Sequence, residues 1–165
     1  MYKLRENTQG GEAPYPTTVE IERTEDRISF LFECEDSTLE SAYDTDNADL
    51  WEGNVCEVFI RSRSMDRYYE IEVAPNGARF FALVTNDDGA LTFDFREDFP
   101  DTSVEHTDNG YRVRISFDLV RYGMHGEDLF YNAYRIECRD GTQHLMALNP
   151  TMNPRFHIPS SFMRI

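Results

Sequence analysis

No stretch of the chain is apolar for long enough to span a membrane, and the opening residues, MYKLRENTQGG, lack the apolar run of a secretory signal. A cytoplasmic location is expected if this is the whole protein, and an extracellular one only if it is a domain of a longer exported chain. Cysteine is sparse. Cys34, Cys56 and Cys138 form no CxxC or Cys/His ligand spacing, which excludes a disulfide frame and a zinc site. Each falls in an apolar strand pattern and reads as a small buried hydrophobe in a reducing compartment. Basic residues are few, 16 against 31 acidic, for a formal net charge of −15. Such a surface repels phosphate backbones, so nucleic acid and anionic membranes are excluded as partners, while a neutral sugar, a cation such as calcium or a basic protein is not. Sustained helical periodicity is also missing.

What the chain does contain is a core and a period of two. Its 165 residues are 40% hydrophobic and 13% aromatic, enough for one globular domain over residues 1–165 without staples. TTVEIE, RISFLFEC, VCEVFI, YYEIEVA, RFFALVT, YRVRISFDL, LFYNAYRIEC and HLMAL read as strands. The cleanest alternation places Tyr111, Val113, Ile115, Phe117 and Leu119 inward. Turn chemistry separates the runs, at Pro75-Asn76-Gly77, Asn86 to Gly89, Asp108-Asn109-Gly110 and Asp140-Gly141. The expected fold is all-β, an antiparallel β-sandwich of jelly-roll type with little helix. The tail, NPTMNPRFHIPSSFMRI, has Pro150, Pro154 and Pro159 and cannot be a central strand. Phe156, Ile158 and Phe162 are expected to pin it against one end or edge of the sandwich, and Asn132 is expected to look inward and satisfy backbone groups.

The chemistry concentrates in DTDNADLWEGNVCEVFI, from Asp44 to Ile60. It holds the only tryptophan, Trp51, among polar neighbours, followed six positions later by a strand carboxylate, Glu57. An exposed indole offers a flat apolar face that suits the C–H face of a sugar ring or a partner protein. Glu57 could accept hydrogen bonds from hydroxyls of the same ligand. Alternatively, Trp51 caps the core and Glu57 is a solvated strand residue. Asp44, Asp46 and Asp49 are the candidates for a metal, although the loop departs from the EF-hand pattern. Glu57, Glu70 and Glu72 could be mistaken for a glycosidase pair. That chemistry needs carboxyls about 5–5.5 Å or roughly 6.5–9.5 Å apart with one buried, and solvated carboxylates on an outer sheet face give the same pattern. No catalytic role is expected. His157, within FHIP, reads as a structural histidine that holds the tail.

DLWEGNVCEVFI, YYEIEVAPNGARFFA, FYNAYRIE and LNPTMNPRFHIPSSF occur in the order seen in family-nine carbohydrate-binding modules, and in this respect the chain resembles that family from about the second strand to the end. The resemblance implies a β-sandwich that binds sugars without cleaving them, as mono- or oligosaccharides or chain ends, often beside a glycoside hydrolase in polysaccharide breakdown. It implies that Trp51 forms one wall of an aromatic sandwich and that Glu57 and Arg79 bond sugar hydroxyls, and Asn149 and Phe156 join them as site residues. The Glu57–Arg79 pair is expected to meet beside the indole. Structural calcium is implied as an option, and no cofactor is required. Two residues depart from the pattern: Leu148 stands where relatives carry a tryptophan, and Asn54 where they usually have aspartate. The second wall is then Phe156, a tyrosine or nothing. A protein-interaction sandwich that has lost the sugar site is the alternative, with a glycoside hydrolase or a haem-binding domain behind it.

Overall fold

Successive side chains of a strand point to opposite faces, so each alternating run must bury one face against another layer. The computed structural model, which describes residues 1–165, contains thirteen strands, of which the long central ones do so. The first seven are β1 (Tyr2–Lys3), β2 (Arg5–Glu6), β3 (Thr17–Arg23), β4 (Arg27–Glu35), β5 (Val55–Ser62), β6 (Tyr68–Val73) and β7 (Arg79–Asp87). The rest are β8 (Ala90–Phe95), β9 (Asp101–Thr107), β10 (Gly110–Asp118), β11 (Leu129–Arg139), β12 (Thr142–Ala147) and β13 (Met163–Arg164). The smaller sheet has the order β1-β3-β4-β10-β9. The larger runs β2-β12-β11-β5-β6-β7-β8, with β13 paired to β11. The pairings are antiparallel and the only helical segments are two three-residue 3-10 turns, Leu50–Glu52 and Pro159–Ser161, so the protein is an all-β sandwich.

Between the sheets, Ile28, Phe30 and Phe32 of β4 and Val113, Ile115 and Phe117 of β10 pack against Val58, Ile60, Ile71, Val73 and Phe81. Arg135 and Glu137 of β11 are fully buried, and their side chains pair at 2.7 Å. Arg135 also donates to Thr17 Oγ1 and the Glu35 carbonyl, tying the large sheet to the small one. Glu137 accepts from Ser37 Oγ (2.9 Å) and the Thr38 N–H (2.8 Å), so this buried carboxylate has its donors. All three cysteines are free and buried, and Cys34 and Cys56 bring their sulfurs within 3.3 Å across the sandwich.

A second core lies on the outer face of the large sheet. Val55, Phe59, Tyr68, Phe80, Ala82, Val84 and Tyr134 are buried there. The tail covers them, crossing that face rather than an end or edge of the sandwich. Phe156 stacks on Tyr134 with ring centres 4.2 Å apart, and Phe162 meets Tyr68 edge-on at 5.2 Å. Burying a phenylalanine in this way contributes roughly 1.5–3 kcal/mol. Asn132 pins the start of the tail: its Nδ2 donates to the Asn149 carbonyl at 2.7 Å and its Oδ1 accepts from the Asn149 N–H at 3.1 Å. The side chain of Asn149, expected to hold sugar, instead donates to the Ser161 carbonyl at 2.8 Å.

Candidate functional site

The register of β5, β6 and β7 places the carboxylates. Glu57 is opposite Glu72 on β6 and Tyr134 on β11, while Glu70 is opposite Phe59 and Ala82. All three glutamates therefore share the outer face of the large sheet, in its middle. They form the floor of a cleft of about 510 Å³. Phe80, Leu91, Phe93 and Phe95 line one side and Ile136, Gln143 and Leu145 the other. Trp51 stands at the end where β5 begins, and the tail residues Pro154 to His157 cross further along.

Trp51 sits in the 3-10 turn Leu50–Glu52, held by two local features. Gln143 Nε2 donates to its carbonyl at 2.6 Å, and Gly53 lets the turn press on Ala42, where a Cβ would come within 2.5 Å of the Ala42 nitrogen. The indole itself is 46% exposed, as a docking face requires. Phe156 supplies a second aromatic surface to the cleft, although its ring is mostly buried on Tyr134. Leu148 packs towards the inter-sheet core and contributes no wall.

The floor is electrostatically unusual. Glu57, Glu70 and Glu72 are no more than 3% exposed, one oxygen from each lies within 4.8 Å of the others, and Glu57 Oε1, Glu70 Oε2 and Glu72 Oε2 have no hydrogen-bond partner. Burial pushes all three carboxyls well above the ordinary range, and the neighbouring glutamate charges push further. The alternative reading, of solvated carboxylates on an outer sheet face, is overturned. Beside them, burial lowers the His157 imidazole to about 4, so at neutral pH it carries no charge. Asn86 Nδ2 reaches the Tyr68 hydroxyl at 3.5 Å, and that hydroxyl lies 2.7 Å from His157 Nδ1. With the hydroxyl donating to Nδ1, the ring proton is on Nε2, 3.8 Å from Glu70 Oε1. His157 thus holds the tail, as expected, and also aims an N–H towards the floor.

Arg79 is not in this cleft. Cys56, Val73 and Arg79 align across β5, β6 and β7, so Arg79 lies on the inter-sheet side, opposite in parity to Glu57 and Glu72. Its guanidinium pairs with Asp46 at 2.7 Å and lies 4.1 Å from the Phe99 ring centre. The expected Glu57–Arg79 pair is therefore absent. Burial raises the Asp46 carboxyl, but hydrogen bonds from Arg79 outweigh it and hold the carboxyl below its usual value. The metal candidates do not converge either: Asp44 and Asp46 line a shallow polar groove with Arg79, whereas Asp49 lines the cleft. Asn54 is buried, donating to Thr38 Oγ1 and accepting from the Cys138 N–H, a structural role. Glu70, Glu72, Gln143, Arg155, His157 and the metal candidate Asp49 are polar residues of the cleft outside the expected sugar ligands. The signal for the first two was their shared strand face with Tyr68.

No family model matches the sequence, and no curated protein matches it. In structure it is similar to a protein from Bacteroides uniformis with a proposed carbohydrate-binding role, at TM-score 0.78 and 16% identity over 99% of this chain and 84% of that one. It is also similar to a family-nine carbohydrate-binding module from Caldicellulosiruptor kristjanssonii. The glucose complex of that module aligns at TM-score 0.68 and 15% identity, over 99% of this chain and 83% of that one. Its cellotriose complex aligns at 0.68 and 14%, over 100% and 80%. The likeness runs through both sheets and the crossing tail, and the chain has the fold of the family-nine carbohydrate-binding modules.

Proposed function

We propose that the cleft binds carbohydrate without cleaving it, taking a mono- or oligosaccharide or a chain end. The observation that carries this reading is the exposed Trp51 face at the mouth of a cleft whose floor presents unpaired carboxylate oxygens. An apolar plane beside convergent acceptors is what a sugar ring requires, because its C–H face stacks while its hydroxyls donate. Phe156, Gln143 and Glu57 complete the set. The glucose and cellotriose complexes of the similar module support the same assignment.

Hydrolysis is disfavoured by geometry. A glycosidase places its acid and its base or nucleophile on two sides of the scissile bond. Here the three carboxyls rise side by side from two adjacent strands of one sheet. In this reading the chain is a single binding domain, linked to polysaccharide breakdown through an associated glycoside hydrolase.

Because Trp51 is the only tryptophan, its fluorescence reports the site directly. Titration with glucose, cello-oligosaccharides and other soluble sugars should shift or quench the emission saturably. A flat response across a broad panel at millimolar concentrations would remove the carbohydrate assignment.

A further inference from the structure

The molecule contains its own control for what a buried carboxylate needs. Glu137 is as buried as the cleft glutamates, yet it receives the Arg135 guanidinium, the Ser37 hydroxyl and the Thr38 N–H. Glu57 and Glu72 have no ion pair, and Glu70 faces only the imidazole of His157 at 3.8 Å. The one guanidinium lining the cleft, Arg155, is exposed on the tail and pairs with no carboxylate. The only lysine, Lys3, lies in the other sheet. Three clustered acceptors have thus been left without the positive charge that the same fold supplies elsewhere.

We propose that the cleft selects sugars bearing a protonated amine, the ammonium seating on Glu57, Glu70 and Glu72 while the ring stacks on Trp51. This rests on the carbohydrate reading and names its ligand class. Three points no more than 4.8 Å apart fit within a circle of radius about 2.8 Å, so one atom near its centre reaches all three oxygens at the length of a charge-assisted N–H···O bond. An ammonium has three donors for these three acceptors. The rest of the cleft argues for an organic cation over a bare ion. At about 510 Å³, with Trp51, Phe80, Phe93, Phe95 and Phe156 along it, it has room and apolar surface that a metal ion leaves unused. Aromatic faces near a desolvated cation add attraction of their own.

The test compares glucosamine, with its amine protonated, against glucose and N-acetylglucosamine on the full chain, by calorimetry and Trp51 fluorescence. Buffers contain either EDTA or calcium chloride. Glucosamine should bind at least about tenfold more tightly than either neutral sugar in EDTA, since buried charge pairs couple by more than that factor. Glu57→Gln and, separately, Glu72→Gln should weaken glucosamine by a much larger factor than they weaken glucose, erasing most of the preference, with thermal melts verifying that each variant folds. Glucose or N-acetylglucosamine binding as tightly as glucosamine would overturn the ammonium proposal and leave the carbohydrate reading standing. No binding of any sugar would overturn both. Calcium that binds the sugar-free protein and excludes glucosamine would assign the floor to a metal and overturn the proposal too.

Discussion

Replacing Glu72 by Gln should make the protein more stable at neutral pH. Two unit charges 4.8 Å apart repel by about 3.5 kcal/mol at an effective dielectric of about 20, and three carboxyls share the cleft floor. Partial protonation relieves much of this, so the gain from neutralising one is on the order of 1–3 kcal/mol, or several degrees in Tm. The pH dependence gives the stronger check. A carboxyl whose folded pKa is raised binds a proton that the unfolded chain has released. Between its unfolded value near 4.5 and its raised folded value, stability therefore falls as pH rises. The advantage of Glu72→Gln should be fully developed above the folded pKa and vanish towards pH 4.5, where the native carboxyls are protonated. The parent protein alone would blur this, because His157, lowered from 6.5 to about 4, loses stability as pH falls through the same range, by roughly 3 kcal/mol. Since His157 is common to both proteins, the difference between them isolates the floor. Urea melts of parent and variant from pH 4.5 to 8 are the assay. A variant no more stable than the parent at pH 7, or one whose advantage does not shrink on acidification, would refute the picture of an uncompensated floor.

Trp51→Ala should weaken sugar binding by about 1–3 kcal/mol while moving Tm by only a degree or two, because the indole is 46% exposed; calorimetry and a thermal melt separate the two effects. Arg79→Ala should leave binding unchanged and cost about 0.5–1.5 kcal/mol for the half-exposed Asp46 pair and the Phe99 contact, so lost binding with unaltered stability would return Arg79 to the site. Arg135→Met should cost about 3–5 kcal/mol in a denaturant melt at pH 7 by leaving Glu137 buried with only the longer Arg139 contact at 3.6 Å as its ion pair, and a loss below about 1 kcal/mol would show that Arg139, the Ser37 hydroxyl and the Thr38 N–H satisfy Glu137 without Arg135.

The strands with clean alternation, β4 and β10 above all, were legible because one face of each is apolar and the other polar. β9 was not, since it lies at a sheet edge with most side chains exposed and only Val104 reaching the core. β8, the edge of the other sheet, does alternate, with Leu91, Phe93 and Phe95 towards the cleft, but is short and mostly exposed. The candidate site was half legible. Trp51, Glu57 and Phe156 do line one cleft, yet the alternation of YYEIEV assigns Glu70 and Glu72 to a face that looks solvated. What buries that face is a tail 80 or so residues further along, which local pattern does not encode. The clue lay in RFFALV, apolar on both faces, which demands a cover for the outer side. Arg79 was misplaced by parity. The link between Val73 and Arg79 puts these two directly opposite one another, and a one-residue offset from Glu72 reverses the face.

The floor of the cleft and its aromatic cover are built to different tolerances. Glu57, Glu70 and Glu72 belong to central strands whose opposite faces fill the inter-sheet core, so backbone changes there disturb the whole sandwich. Pro154 to His157 belong to an irregular crossing segment, fastened by the buried Asn7, which bonds Thr151, Met152 and Asn153, and by Asn132, Tyr68 and the Phe156 stack. Substitution or insertion between those fastenings can reshape one wall while the strands beneath keep their register. A lineage could therefore exchange one ligand for another by rewriting a dozen residues at the end of the chain, with the acidic floor as the inherited part and the tail as the variable one.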